Sequence, residues 1–214
     1  MIEVVLATRN NHKVIEVQRI LDATCKDISI VDLSKWSDAP EVIEDGATFA
    51  ANALLKARTL AAHTGMTVIA DDSGICVDAL NGMPGIFSAR WAGSHGDDKK
   101  NLNLLLDQIK DVPDTRRGAQ FVCAFAVVTP DGIERVVEGV VDGEITTAEA
   151  GTEGFGYDPI FKPYGFDQTT AQMSAEQKDE ISHRGQAVRN LVPVLKELFG
   201  LNQGCGGNCA CRAN

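Results

Sequence analysis

The chain has 214 residues, of which 44% are hydrophobic and 23% charged, and its formal net charge at pH 7 is −10. These values are typical of a soluble globular protein, and the acidic balance argues against a nonspecific nucleic-acid binder, which carries a basic face. The sequence has neither an apolar run of roughly 20 residues nor a charged-then-apolar leader, so we expect no membrane span and a cytoplasmic location.

The N-terminal segment predicts a strand, a polar loop and a helix. An apolar run at 4–7 precedes the loop, and apolar residues at helical spacing follow it. This order directs backbone N–H groups and the positive end of a helix dipole toward an anion, which Lys13 would also attract. The alternative is that Thr8 and Asn10 only cap the helix. We favour a phosphate-binding loop, although the sequence pattern of a Walker loop is absent.

A second strand is predicted at 28–33, and a mostly apolar helix at 47–63. Thr48, Asn52 and Lys56 recur at intervals of four residues and form one polar stripe on this helix. The stripe is either the solvent face of the helix or part of a cleft that it shares with the acids that follow.

The motif Asp71-Asp72-Ser73-Gly74 is the main candidate for the chemical centre. The apolar run before it, at 66–70, indicates a buried strand whose C-terminal end carries the acids into a cleft. Neighbouring side chains of a strand point to opposite faces, so one carboxylate should face the reaction centre and the other should orient a loop or a neighbouring group. Carboxylates so placed can hold Mg²⁺, which Glu44 can share with Asp72. An isolated motif of this kind is more often a solvated turn.

The next segments predict further strands and a helix. A strand at 75–80 is followed by the turn Asn81-Gly82, and a helix begins near Asp97. Strand-like runs at 120–129 and 133–141 predict an antiparallel hairpin. Together with the earlier strand–helix units, the hairpin implies a mixed sheet and an α/β or α+β fold.

The stretch Gly154-Phe155-Gly156-Tyr157-Asp158 is the second informative motif. Its glycines expose an aromatic ring and let the backbone approach a ligand, which suits Phe155 to stacking on a purine. The alternative is a tight turn around a buried ring. Ser174 and Gln177 then predict a capping box, and Ser182-His183-Arg184-Gly185 precedes the final helix.

Several separate stretches, in order between about residues 3 and 199, together resemble the inosine triphosphate pyrophosphatase family. The matching stretches are Thr8 to Lys13, Glu44 to Phe49 with Asn52 and Lys56, Ala70 to Gly74, Gly154 to Phe161, and Ser182 to Ala187. The resemblance implies one domain at 1–199 with an elongated mixed sheet flanked by helices, usually a homodimer. It also implies hydrolysis of non-standard purine nucleoside triphosphates (ITP, dITP, XTP) to the monophosphate and pyrophosphate with Mg²⁺.

The resemblance further implies roles for individual residues. Asp72 would be the general base, Lys56 would assist at the phosphates, and Glu44 and Asp72 would hold Mg²⁺ while water attacks the α-phosphorus. The substrate would be bound by Thr8, Arg9, Asn10, Asn11, His12, Lys13, Ser73, Phe155, Gly156, Tyr157, Asp158, Lys178, His183 and Arg184. Two residues depart from the family pattern: Arg9, where a small residue is expected, and Glu153, where a further glycine is common.

Base selection has a physical explanation at Arg184. A donor aimed at the 6-oxo group of inosine or xanthine would face an amine in adenine and stay unpaired, which makes the discrimination strong. Two alternatives stay open. One is a pyrophosphatase for modified pyrimidine nucleotides, and the other is a regulator that binds a nucleotide without turnover.

Residues 200–214 lie outside the resemblance. Cys205, Cys209 and Cys211 offer three thiols and no histidine, whereas a closed zinc site usually has four ligands. We expect a flexible, oxidisable extension, with metal binding as the alternative.

Overall fold

The computed structural model describes residues 2–201. Its strands are β1 (Ile2–Leu6), β2 (Ile28–Asp32), β3 (Val68–Val77), β4 (Met83–Pro84), β5 (Gly118–Val128), β6 (Glu134–Ile145) and β7 (Phe161–Pro163). Its α-helices are α1 (Asn11–Thr24), α2 (Phe49–Thr64), α3 (Asp98–Gln108), α4 (Ala175–Ile181) and α5 (His183–Leu198). The strands form one sheet in the order β2-β1-β3-β5-β6-β7, with β4 paired to β3. β1 is parallel to β2 and β3, and the other pairs are antiparallel, so the predicted mixed α/β fold is confirmed.

The two faces of the sheet bury different helices. Ile69 of β3 packs in a core cluster with residues of α1 and α5, whereas Val68 and Ala70 pack in another with residues of α2. This alternation continues along the strand, because successive side chains point to opposite faces. It places Asp71 on the side of α1 and α5 and Asp72 on the side of α2.

β3 runs through the Asp-Asp-Ser-Gly motif, so the prediction that one strand ends with the acids and a separate strand begins at 75–80 is wrong. The ten residues of β3 form one continuous ladder with β5, including Asp71 and Asp72. Gly74 permits this, because a Cβ there would lie 2.4 Å from the carbonyl oxygen of Gly85. The predicted reversal at Asn81-Gly82 is confirmed by the antiparallel pairing of β3 with β4.

Most local predictions of helices and turns are confirmed. α2 ends at Gly65, whose φ of 65° is left-handed, and α3 begins after the N-cap Asp97. The capping box of Ser174 and Gln177 starts α4, and β5 and β6 form the predicted hairpin. Within residues 2–201, no helix has the length and apolar character needed to cross a membrane. Cys205, Cys209 and Cys211, the cysteines of the segment at 200–214, lie outside the described residues, which end at 201.

Candidate active site

A cleft of about 620 Å³ gathers most of the residues predicted to form the site. Those that line it are Thr8, Arg9, Asn10, Lys13, Glu44, Lys56, Asp72, Ser73, Phe155, Gly156, Tyr157, Asp158, Lys178, His183 and Arg184. Asn11 and His12 do not line this cleft. His12 lies behind Phe155, with the two ring centroids 5.5 Å apart, and borders a smaller groove.

The loop between β1 and α1 is organised by its own side chains. Asn10 is the N-cap of α1, and its Oδ1 accepts hydrogen bonds from the backbone N–H groups of His12 at 3.0 Å and Lys13 at 3.4 Å. The hydroxyl of Thr8 accepts one from the N–H of Asn10 at 3.1 Å. The capping alternative therefore holds for the Asn10 side chain. The α1 N-terminus still borders the cleft, where a helix dipole favours an anion.

Asp71 is a buried carboxylate that holds two cations of the cleft. Its side chain is 1% exposed, and its Oδ2 lies 2.8 Å from Lys13 Nζ and 3.7 Å from Arg184 Nη2. Ser73 Oγ donates to the same oxygen at 3.4 Å. Burial alone would raise the pKa of Asp71, but Lys13, Arg184 and Lys56 outweigh it and hold that pKa well below its ordinary value. Asp71 thus matches the predicted carboxylate that orients its neighbours.

Asp72 faces the opposite side and meets the polar stripe of α2. Its Oδ2 accepts a hydrogen bond from Asn52 Nδ2 at 2.9 Å, and its Oδ1 lies 3.9 Å from Lys56 Nζ. Lys56 also donates to Glu44 Oε1 at 3.0 Å. Asn52 is fully buried and Lys56 lines the cleft, so the interpretation of the stripe as a solvent face is wrong for both. Burial raises the pKa of Asp72, although Lys56 and Asn52 oppose the shift.

The carboxylates of Glu44 and Asp72 are suited to a hard divalent cation. Both lie near Lys56 Nζ, at 3.0 and 3.9 Å, which places two negative groups around one point. Across residues 2–201 no group of three His, Cys, Asp or Glu side chains forms a self-sufficient metal site. Mg²⁺ commonly takes one or two carboxylates and completes its shell with waters and phosphate oxygens. The residues present fit such an ion when waters or phosphate oxygens complete its shell.

The other end of the cleft contains a buried charge cluster. Lys178 Nζ lies 2.9 Å from Glu16 Oε1 and 2.7 Å from Asp158 Oδ2. Arg184 Nη1 pairs with the second oxygen of Glu16, and its Nη2 donates to Ser73 Oγ at 3.0 Å. Burial alone would lower the pKa of Lys178, but Asp158 and Glu16 reverse that and raise it. Both cations are therefore charged and fixed in orientation.

Glu16 is a site residue that the motifs did not identify. It lies on the buried face of α1 together with Val17 and Ile20, where an acidic residue is unusual. An acidic residue in the apolar stripe, one turn after Lys13, was the available sequence signal. Its partners are more than 160 residues away in the chain, and nothing local indicates them.

Phe155 is half-buried at the edge of the charge cluster. Its ring is therefore neither fully exposed, as a stacking platform would be, nor fully buried, as in a tight turn around a core ring. Lys178 Nζ and Arg184 Cζ lie 5.2 and 5.5 Å from the centroid of its ring. Its backbone N–H donates to Asp158 Oδ2 at 2.8 Å, and the following N–H, of Gly156, donates to Asp98 Oδ2 at 2.9 Å. The loop thus presents a positioned aromatic face beside two cationic donors.

His183 is buried beside these donors, with its ring stacked on Phe121 at 4.7 Å between centroids and 9° between planes. Burial lowers the pKa of His183 well below its ordinary value, and the nearby charges of Arg184 and Lys178 lower it further, so the imidazole is neutral at pH 7. Three buried side-chain atoms lack a hydrogen-bond partner among the described residues: Asp71 Oδ1, His183 Nδ1 and Arg184 Nε. All three belong to this site, and unpaired buried polar atoms are uncommon elsewhere in folded proteins.

Comparison with known proteins identifies the family. The Ham1 family model matches residues 4–194. A dITP/XTP pyrophosphatase of Streptomyces coelicolor is 56% identical over 200 residues, which cover 94% of this chain and 100% of that protein. The crystal structure of a nucleoside-triphosphatase / dITP/XTP pyrophosphatase from Mycobacterium abscessus is 50% identical, with a TM-score of 0.74 and coverage of 91% of this chain and 100% of that one. The Staphylococcus aureus Ham1 protein structure is 42% identical, with a TM-score of 0.80 and coverage of 94% and 100%. The resemblance predicted from the motifs is confirmed, and the chain belongs to the Ham1 family.

Proposed function

We propose that this protein hydrolyses non-standard purine nucleoside triphosphates, namely ITP, dITP and XTP, to the monophosphate and pyrophosphate. The observation that carries the proposal is a single cleft whose two ends differ in chemistry. One end has lysines and carboxylates suited to a triphosphate, and the other has an aromatic face beside buried cationic donors. The relatives named as dITP/XTP pyrophosphatases support the same substrate class.

The phosphates bind at the N-terminus of α1 and at the two lysines. Lys13 and Lys56 approach from opposite sides of β3, as shown by their pairing with Asp71 and Asp72. Both ammonium groups stabilise negative charge that develops on phosphoryl oxygens during the displacement. Arg9 also lines this end, and its Nη2 donates to the backbone oxygen of Ala39 at 2.9 Å, which fixes the guanidinium at the rim.

Asp72 accepts the proton of the water that attacks the α-phosphorus. Its Oδ2 accepts a hydrogen bond from Asn52, and its Oδ1 accepts one from the backbone N–H of Ser73 at 3.0 Å. A carboxylate oxygen has two lone pairs, so the second lone pair of Oδ1, the oxygen on the side of Lys56, is the accepting position. The raised pKa of Asp72 makes it a better base than an exposed aspartate. Mg²⁺, held by Glu44 and Asp72, supplies positive charge to the phosphoryl oxygens when it is bound with the nucleotide.

Base selection takes place at the charge cluster. Phe155 stacks on the purine, and Arg184 and Lys178 are donors only, because neither side chain can accept a hydrogen bond. The carboxylates in reach, Glu16 and Asp158, are already occupied by these cations. A 6-oxo group therefore finds a donor, whereas the 6-amine of adenine, itself a donor, finds no free acceptor.

Product analysis tests the proposal. A panel of nucleoside triphosphates is incubated with Mg²⁺ in ¹⁸O-labelled water, with wild-type protein and with Asp72→Asn. We expect monophosphate and pyrophosphate from ITP, dITP and XTP, little from ATP or GTP, and a rate at least about 100-fold lower for the variant. The label should appear in the monophosphate, because water attacks the α-phosphorus. Diphosphate and phosphate as products, or label in pyrophosphate, would contradict this mechanism, and tight binding without products would favour a regulator.

We also propose that the enzyme acts in the cytoplasm as a homodimer, as the family resemblance implies. Light scattering coupled to size-exclusion chromatography tests the dimer directly: a mass near twice 22.9 kDa supports it, and a mass near 22.9 kDa excludes it.

A further inference from the structure

Asn52 connects the segment that carries Glu44 to the carboxylate of Asp72. Its Oδ1 accepts a hydrogen bond from the backbone N–H of Gly46 at 2.8 Å, and its Nδ2 donates to Asp72 Oδ2 at 2.9 Å. The side chain is 0% exposed, so water does not compete for either bond. The partners also fix the orientation of the amide, because an N–H can only donate and an ionised carboxylate can only accept.

The close approach of Gly46 to Asn52 depends on the absence of a side chain at position 46. A Cβ there would lie 2.6 Å from Asn52 Oδ1 and 2.9 Å from Ala51 Cβ, and both distances are too short for such contacts. The segment before α2 therefore rests directly on the first turns of that helix. Glu44 is only two residues before this contact point, so the position of Gly46 limits where the Glu44 carboxylate can reach.

Asn52 and Lys56 lie one turn apart on α2 and make parallel connections. Lys56 pairs with Glu44 at 3.0 Å and approaches Asp72 Oδ1 at 3.9 Å, while Asn52 bonds to Gly46 and to the other oxygen of Asp72. The neutral amide thus donates to Oδ2, while Oδ1, which accepts from the backbone N–H of Ser73 at 3.0 Å, lies on the side of Lys56. We infer that Asn52 is a positioning residue that sets the separation and orientation of the Glu44 and Asp72 carboxylates for a divalent cation, an inference that rests on the proposed hydrolytic function.

Asn101 provides a matched control for this role. It is also buried, at 1% exposure, and it also accepts a backbone hydrogen bond, from Ala92 at 2.7 Å, and donates one, to Ala89 O at 3.1 Å. Neither of its partners is a carboxylate. Truncation of Asn101 therefore reproduces the loss of a buried amide with two hydrogen bonds, without a direct effect on Asp72.

The experiment compares wild type, Asn52→Ala and Asn101→Ala by urea unfolding, by steady-state kinetics with ITP and by binding of Mn²⁺ alone. We expect both variants to lose stability. Only Asn52→Ala should lower kcat and weaken Mn²⁺ binding, each by about 10-fold to 100-fold, as second-sphere substitutions at metal sites do. With the metal at saturating concentration, its KM for ITP should stay within about threefold of wild type, because Asn52 does not line the cleft.

Gly46→Ala is the second variant, because the added Cβ displaces the backbone N–H that bonds to Asn52 while Asn52 itself remains. We expect the same losses of kcat and Mn²⁺ affinity from it, so the inference can be tested even if Asn52→Ala does not fold. Wild-type kcat and Mn²⁺ affinity in Asn52→Ala or Gly46→Ala would overturn the inference, as would equal losses in Asn101→Ala. If the wild-type protein hydrolyses no nucleotide, the proposed function fails. The Mn²⁺ affinities of wild type and Asn52→Ala then test the role of Asn52 separately, and equal affinities would overturn that role.

Discussion

Replacement of Asp71 by asparagine is the sharpest test of how the site is held together. The substitution keeps the shape of the side chain but removes a charge that is 1% exposed and pairs with Lys13 at 2.8 Å. Arg184 retains Glu16, whereas Lys13 loses its carboxylate partner. Removing one partner of a buried ion pair destabilises a protein by about 3–5 kcal/mol, since the remaining charge is left uncompensated. For a chain of this size that corresponds to a fall in Tm of about 6–20 °C.

The effect should depend on pH with a definite sign. The pKa of Asp71 is lowered in the folded protein from its ordinary value of 3.8, so its contribution to stability is present above that value and is lost as the pH falls toward the folded pKa. The difference in unfolding free energy between wild type and Asp71→Asn should therefore be constant from pH 5 to 7. Below pH 3.8 it should shrink by about 1.4 kcal/mol per pH unit.

Urea unfolding at several pH values measures this difference, with Asp38→Asn as the control. Asp38 has a side chain that is 80% exposed and a single ion-pair contact, 3.4 Å from His63, so its replacement should change stability by no more than about 0.5 kcal/mol. In kinetics, Asp71→Asn should raise KM, because Lys13 and Arg184 lose a common anchor. A stability loss below about 1 kcal/mol, or one that does not vary in acid, would refute the proposed role of Asp71.

Three further predictions follow from the same contacts. Lys56→Ala should lower kcat by about 100-fold, because a positive charge beside Asp72 is lost. Lys35→Ala, outside the cleft, should leave kcat unchanged, and equal steady-state rates for the two variants would contradict this role of Lys56. Phe155→Ala should weaken binding of inosine monophosphate by about 1–3 kcal/mol in calorimetry, and an unchanged affinity would exclude stacking. His183 is neutral when folded, because its pKa is lowered from 6.5, so its contribution to stability is lost as the pH falls below that value. Between pH 6.5 and 5.5, urea unfolding should show a loss of about 1 kcal/mol that is missing in His183→Gln.

Local sequence patterns predicted the elements whose causes are local. The β5–β6 hairpin, the left-handed end of α2 at Gly65 and the capping box at Ser174 each depend on residues within a few positions of one another. The continuity of β3 could not be predicted in this way. Two adjacent acids followed by serine and glycine are typical of a strand end, and the lysine that compensates Asp71 is 58 residues away. Glu16 was missed for the same reason, because its cationic partners come from the far end of the chain.

The charges around the cleft explain why its cations alone do not make it a binding site for a polyanion. Six lysine and arginine side chains line the cleft, but so do five aspartate and glutamate side chains, and Asp71 and Glu16 lie directly behind them. The carboxylates fix the cations in orientation and at the same time cancel much of their attraction for a triphosphate. A protein that only captured nucleotides would gain affinity from an excess of positive charge and would lose it from each carboxylate. Carboxylates at one end are consistent with a site that binds the phosphates together with a divalent cation. Carboxylates at the other end are consistent with donors held in a fixed orientation that select the base. Selective hydrolysis requires both.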